Sequence, residues 1–424
     1  MTAHVHDLVG IGAGPFNLGL ACLLDPLDVD AVFLEARDDV AWHPGMMLDD
    51  ATLQVPFLAD LVTMADPTSR WSFLAFLKET GRLYPFYVRE SFYPLRREFD
   101  AYLRWAAHGV GSVRFGQDVV AVSHDGTAYV VTTASGEVHR GRRLALGVGT
   151  SPRVPGAVRP LLDAGAAPGA APVLHSGDYL HRREELLGLG SIAVVGSGQS
   201  AAEVYRDLLT AAPDHDYELT SPEYSAYFQG LPADTRARVL REQRSLYKGI
   251  SGDVVDAISD LHYQQQAAGQ GPRTTLVTHT EVRGGRTVPG GVELDLHHAE
   301  TGEDFGLTTE GLVLATGYAA GTPAFVEGIR DRLVLDEQGR LVASATYAAD
   351  DEAHRTVGGG EVFVLNGEEH THGFVAPDLG MGAHRASVIV AAITGREVYP
   401  VEKRVMVQTF GVPDHLRRDP VSPS

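Results

Sequence analysis

An α/β fold is what this sequence predicts: two Rossmann-like dinucleotide-binding domains plus a smaller, mostly helical region. Three observations carry the prediction. A glycine turn follows a short apolar strand in HDLVGIGAGPFNLGL, residues 6–20. An acid, Glu35, closes the next apolar strand. A second glycine turn, Gly196-Ser197-Gly198-Gln199-Ser200, recurs one domain-length later. The chain of 424 residues has room for two or three domains and a large core.

In the first unit, Leu8 to Ile11 reads as a buried strand, Gly12-Ala13-Gly14-Pro15-Phe16-Asn17 as a glycine turn, and the first turn of a helix follows. Gly12 permits the tight turn, and Gly14 lets the backbone approach a pyrophosphate facing the helix N-terminus. Asn17 stands where the usual fingerprint has its third glycine. Glu35, at the end of Ala31–Glu35, is placed to hold a ribose hydroxyl. Residues 41–105 are rich in aromatics and prolines, with two helices expected, Trp71 to Leu77 and Arg96 to Trp105. Residues 113–150 alternate like a β-meander and end in a return strand near Leu144. The Ala/Gly/Pro-rich stretch 156–172 reads as a surface connection. Ser191 to Val195 is the strand of the second unit, and Gln199 and Ser200 suit contacts to a phosphate. Helix is expected over 222–265, and strands over 274–318, closing on Thr316-Gly317. A last strand at Val362 to Leu365 leads through a polar loop to a helix ending near Ile393, beneath the first nucleotide site.

Composition narrows the function. The formal net charge is −20 with no Lys/Arg run, which argues against nucleic acid and anionic membranes as partners. No signal core or apolar run of membrane-spanning length appears, so a cytoplasmic location is expected. The single cysteine, Cys22, rules out an intramolecular disulfide, a cysteine-based metal site and a dithiol reductase. No metal is expected. Two dinucleotide sites allow electrons to pass between two cofactors, most simply a flavin on the first and a nicotinamide on the second. The reduced flavin could then feed a second protein group or dioxygen.

The motifs together resemble the flavin-dependent N-hydroxylating monooxygenases, the lysine, ornithine and diamine hydroxylases of siderophore biosynthesis. The resemblance spans essentially the whole chain. It rests on GAGPFNL from Gly12, WHPGM from Trp42, LQVPFLADL from Leu53, DPTS from Asp66, GSGQS from Gly196, ATGY from Ala315 and Thr371-His372-Gly373. It implies bound FAD, reduced by NADPH, whose C4a hydroperoxide transfers oxygen to an unprotonated primary amine. The implied flavin-side catalytic residue is Gln54. Implied cofactor contacts are Gly12, Gly14, Pro15, Asn17, Glu35, Trp42, His43, Gln54, Gly196, Gly198, Gln199, Ser200, Thr316, Gly317, His372 and Leu379. The protein's tasks would be to exclude water, to align the amine and to let it lose its proton. A homo-oligomer is expected by the same analogy.

Two departures from the family pattern matter. Its amino-acid hydroxylases carry a lysine, paired with the substrate carboxylate, where this chain has Ala59. The departure points to a diamine, cadaverine or putrescine, because an unpaired buried carboxylate is costly. The alternative is that Lys248 supplies the cation and lysine remains the substrate. Asp60, Glu368, Glu369 and Asp378 are candidates for the far ammonium. The second departure is at Thr220-Ser221, where relatives carry about 20 more residues, including a basic residue suited to a 2′-phosphate. The expected layout is therefore as follows. Residues 1–155 begin the FAD domain, and 173–220 with 274–318 form the NADPH domain. Residues 221–273 form a helical substrate-binding region, 319–414 return to the FAD domain, and 415–424 are a flexible tail. An NAD(P)H-dependent flavin reductase and a flavin-binding protein without turnover are the competing functions.

Overall fold

The computed structural model describes residues 4–165, 167, 169–211, 250–269, 274–351 and 362–400. Five parallel strands form the first sheet in the order β16-β7-β1-β2-β3: Val362–Val364, Leu144–Leu146, Leu8–Ile11, Ala31–Leu34 and Val113–Arg114. Its central strands are apolar without interruption because both faces are covered. Leu8, Val9, Leu144 and Ala145 have no exposed surface. One face is covered by α1 (Pro15–Leu24) and by α4 (Arg96–Gly109), whose buried positions, Phe99, Tyr102, Leu103, Ala106 and Ala107, recur at helical spacing.

The antiparallel meander β4 (Val119–His124), β5 (Tyr129–Thr133) and β6 (Val138–Gly141) covers part of the other face. The expected meander is thus this meander flanked by two strands, β3 and β7, that belong to the first sheet.

A second parallel sheet has the order β10-β14-β9: Ile192–Val195, Gly311–Leu314 and Val173–His175. Helix α7 (Gln199–Ala211) follows its glycine turn. An antiparallel hairpin pair, β11 (Thr280–Val288), β12 (Gly291–His298) and β13 (Glu303–Thr309), packs against it through Val292, Leu294 and Leu296. The chain crosses between the sheets where β8 (Ser151–Pro152) pairs with β15 (Tyr318–Ala319).

Several expected elements shift. The helix expected from Trp71 is α2, Phe73–Glu79, because the Ser72 side chain accepts from the Ala75 N–H and caps it. A helix not expected, α3 (Leu83–Val88), buries none of its residues and so leaves no apolar periodicity to read. The stretch read as a surface connection contains α5, Arg159–Gly165, which buries Leu161. Helix α6 (Tyr179–Leu187) precedes the second glycine turn, and α8 (Gly252–Ala267) packs on α7. The last helix, α9 (Gly382–Thr394), packs on α1 as expected. Among the described residues, no helix is long and apolar enough to cross a membrane.

Candidate active site

The first glycine turn is built so that its first glycine cannot be replaced. Gly12 has φ +87°, and a Cβ there would lie 2.5 Å from the Gly147 carbonyl oxygen. Gly14 differs: a Cβ would meet nothing closer than 4.0 Å, so the space above it is open. Pro15 follows as the first helical residue, where its missing N–H costs nothing. Glu35 reaches back, and its Oε2 accepts from the Ala13 N–H at 2.9 Å. Open backbone, a helix N-terminus and an acid at the strand end make a cradle that fits a dinucleotide.

Asn17 has a structural job that the fingerprint hides. Its buried Nδ2 donates to the carbonyls of Ile11 (3.1 Å), Gly12 (2.7 Å) and Ala145 (3.2 Å). The amide joins α1 to the ends of β1 and β7. Gly147 must be glycine beside it, since a Cβ would sit 2.5 Å from Asn17 Cγ.

The Trp42 N–H donates to Asp100 Oδ1 at 2.8 Å, and its ring meets Phe99 edge-on. His43, at φ +49°, packs its ring against Tyr318, which also meets His175. Desolvation, then the charges of Arg96 and Arg37, hold the His43 pKa below its usual value. His175 Nε2 donates to the Gly317 carbonyl at 3.1 Å, and its Nδ1 accepts from the Gly177 N–H. Thr316 Oγ1 donates to the Arg153 carbonyl, so both residues of the Thr316-Gly317 turn serve the crossing between sheets.

The second glycine turn is more open. A Cβ on Gly196 would lie 2.3 Å from the Ala315 carbonyl oxygen, whereas a Cβ on Gly198 would meet nothing within 4 Å. Ser200 sits in the first turn of α7, half-buried. Gln199 is drawn sideways: it receives Gln54 Nε2 at 3.3 Å and the Ser251 N–H at 2.8 Å on its Oε1. Its Nε2 donates to Glu203 at 2.8 Å and to Ser251 Oγ at 3.2 Å. Glu203 is buried and forms a two-bond pair with Arg96, at 2.7 and 2.8 Å. The expected flavin-side and nicotinamide-side residues are therefore in contact across 145 positions of sequence.

Ala59 is buried in a small cleft with Phe16, Leu379 and Gly382. A Cβ on Gly380 would be 3.3 Å from Asp378 Oδ1 and 3.8 Å from Ala59 Cβ, which puts both residues around one glycine. Of the four candidate carboxylates, two are already committed. Asp60 accepts from Val62 N, Thr63 N, Thr63 Oγ1 and Phe73 N. Burial nonetheless pushes its pKa up. Glu368 pairs with buried Arg385 at 2.8 Å. Asp378 is exposed and accepts from the Gly380 N–H. His372 stacks on Tyr347 at 4.5 Å. Lys248 and the Thr220-Ser221 junction lie outside the described residues.

Sequence reasoning missed the Arg96–Glu203 pair and Arg385. Arg385 is 2% exposed, donates to the Ala376 carbonyl and lies over the Phe16 ring. The signal for it was there: a lone arginine in the apolar run of α9. The signal for Glu203 was an acid one turn into an otherwise small and apolar helix start.

Two open glycine cradles joined through Gln54 and Gln199 define a class, enzymes that bring two dinucleotides together on one chain. The family of L-lysine 6-monooxygenase/L-ornithine 5-monooxygenase matches residues 4–221 and 215–320. The two pieces meet at 215–221, the neighbourhood of the Thr220-Ser221 departure. The chain belongs to this family and is a flavin-dependent N-hydroxylating enzyme. It is 43% identical to the FAD-bound cadaverine monooxygenase of desferrioxamine biosynthesis from Erwinia amylovora, with a TM-score of 0.83 over 97% of this chain and 99% of that one. It is 40% identical to an alcaligin biosynthesis enzyme of Bordetella pertussis, over 97% of this chain and 93% of the relative. A putrescine N-hydroxylase of Shewanella oneidensis is 37% identical, over 96% and 84%.

Proposed function

We propose that this enzyme uses FAD and NADPH to hydroxylate one terminal amine of a diamine, cadaverine or putrescine, for hydroxamate siderophore biosynthesis. FAD belongs on the first cradle, with Gly14 under the pyrophosphate and Glu35 at the ribose; the nicotinamide dinucleotide belongs on the second, over Gly198. Bound flavin supplies the activated oxygen, with dioxygen as co-substrate. The chain's own residues keep the site dry and hold the amine, and desolvation favours its unprotonated form.

The observation that carries the substrate reading is the pairing of Ala59 with Asp378 about Gly380. Where amino-acid hydroxylases are expected to station a cation, this chain buries a methyl group and has a carboxylate nearby. That arrangement favours an ammonium over a carboxylate at the far end of the substrate. With Asp60 and Glu368 already committed, Glu369 and Asp378 are left, and Asp378, which shares Gly380 with Ala59, is the carboxylate we assign to that ammonium.

The test is hydroxylamine formed per NADPH oxidised with cadaverine, putrescine, lysine and ornithine. We expect product with a diamine, and a KM for it raised about tenfold or more in Asp378→Asn, the scale of a lost charged hydrogen bond. Product with lysine but with neither diamine would overturn the reading.

A further inference from the structure

We infer that Gln199 is a positioning residue that fixes which way the Gln54 amide points, so that Gln54 meets the flavin side of the site as a hydrogen-bond acceptor. The inference rests on the proposed placement of Gln54 beside the flavin. A glutamine amide has two N–H donors and one oxygen with two lone pairs. All four places on Gln199 are filled: Oε1 by Ser251 N and Gln54 Nε2, and Nε2 by Glu203 Oε1 and Ser251 Oγ.

Two of these partners remove any choice of orientation. The Ser251 N–H can only donate, so it must face the Gln199 oxygen. Glu203, ionised against Arg96, can only accept, so it must face the Gln199 NH2. Flipping the amide would set oxygen against carboxylate and NH2 against N–H. With Oε1 so placed, Gln54 can join the network only through its own NH2. One Nε2 hydrogen is spent on Gln199, and the carbonyl oxygen, which cannot face the Gln199 oxygen, is the acceptor that Gln54 offers a ligand.

The anchor is firm. Glu203 is 1% exposed, and the Arg96 main-chain N–H donates to the Ala51 carbonyl at 2.8 Å. The segment bearing Gln54 is thereby tied to one ion pair at two points, Ala51 and Gln54. A saturated Gln199 side chain also cannot take a phosphate or nicotinamide amide without releasing a partner. The longest bond, the one to Gln54, would go first.

The test uses the FAD-loaded enzyme and two variants that keep side-chain length, Gln54→Met and Gln199→Met, with their double. The first readout is the visible circular dichroism of bound flavin, recorded without turnover. The second is hydrogen peroxide released per NADPH oxidised. Both single variants should shift the flavin bands in the same sense and raise the peroxide share at least about twofold, and the double should add nothing to either. Ser251→Ala, which removes one bond of the four, should give a smaller shift of the same sign and stands in if Gln199→Met folds poorly. A flavin shift in Gln54→Met with none in Gln199→Met, or a rise only in the KM for NADPH, overturns the inference alone. An unshifted Gln54→Met spectrum overturns the placement of Gln54 and the inference with it.

Discussion

The two glycine turns share a spacing but are finished differently. Gly12, Gly14 and Asn17 correspond in position to Gly196, Gly198 and Ala201. In the first, an amide ties helix to sheet through three carbonyls, and β1 is fully buried. In the second, a small alanine lets α7 close on β10, and every residue of β10 is only half-buried. Among the described residues, five parallel strands back the first turn and three back the second. In the first site an amide bonds the helix to its own sheet, whereas in the second the helix meets its strand by packing and its polar ties run outward, through Gln199 to Ser251 and through Glu203 to Arg96. That contrast suits a cofactor that stays bound on one site and one that exchanges on the other.

Substitution at the first and second glycines of each turn can break the comparison. Gly12→Ala combines positive φ, about 1–2 kcal/mol, with overlap on Gly147, about 1–3 kcal/mol more. We expect a loss approaching 5 kcal/mol in chemical denaturation, or no folded protein. Gly14→Ala and Gly198→Ala meet no such obstacle, so both should leave the stability of the cofactor-free protein within about 1 kcal/mol of wild type. Each should instead weaken binding of its own dinucleotide, FAD for the first and NADP+ for the second, measured by titration. Equal stability losses at Gly12 and Gly14 would show that the cradle is not open.

Asn17→Asp comes next. An ionised carboxylate would face three carbonyl oxygens in a buried place, and we expect a cost of about 4 kcal/mol, the scale of an unpaired buried charge. The counterpart change Ala201→Ser, in the packed second turn, should cost far less in the same denaturation experiment. Glu203→Ala leaves Arg96 partly buried and unpaired, and about 3 kcal/mol should be lost. A Glu203→Ala enzyme as stable as wild type would mean that α7 is not held to α4 by this pair.

Much of the fold could be read from local pattern, and the exceptions have physical causes. Strands β1, β7, β10 and β14 are continuous apolar runs closed by turns of glycine and other small residues, a signal carried within ten residues. Helix α3 was silent because it contains Pro85 and has no fully buried residue, and α5 was masked by its alanine, glycine and proline neighbours. Site residues divide in the same way. Gly12, Gly14 and Glu35 declare themselves through spacing. Asn17 does so only by contrast with a glycine, because its job depends on β7 arriving from residue 144. The bonds among Gln54, Gln199 and Ser251 join positions far apart in sequence, and no local pattern encodes them. The committed state of Asp60 and Glu368 was equally invisible, since a carboxylate's partners are fixed by folding rather than by neighbours.

The smallest effect concerns the crossing between the sheets. His175 is buried, and desolvation holds its pKa below the ordinary histidine value of 6.5. Between that lower value and 6.5 the unfolded chain carries a proton that the folded one does not. The contribution of His175 is therefore complete above about pH 6.5 and is lost as the pH falls through that window. The structural reason is plain: Nδ1 accepts from the Gly177 N–H, and a proton there would expel that donor while Nε2 still holds the Gly317 carbonyl. Replacing His175 with glutamine removes the titrating group, at a cost of about 1 kcal/mol for a hydrogen bond imperfectly kept. Denaturation curves from pH 7.5 to 5 should then fall less steeply with acid in the variant than in the wild type. Parallel slopes would place the acid sensitivity elsewhere, with His43 the next residue to test.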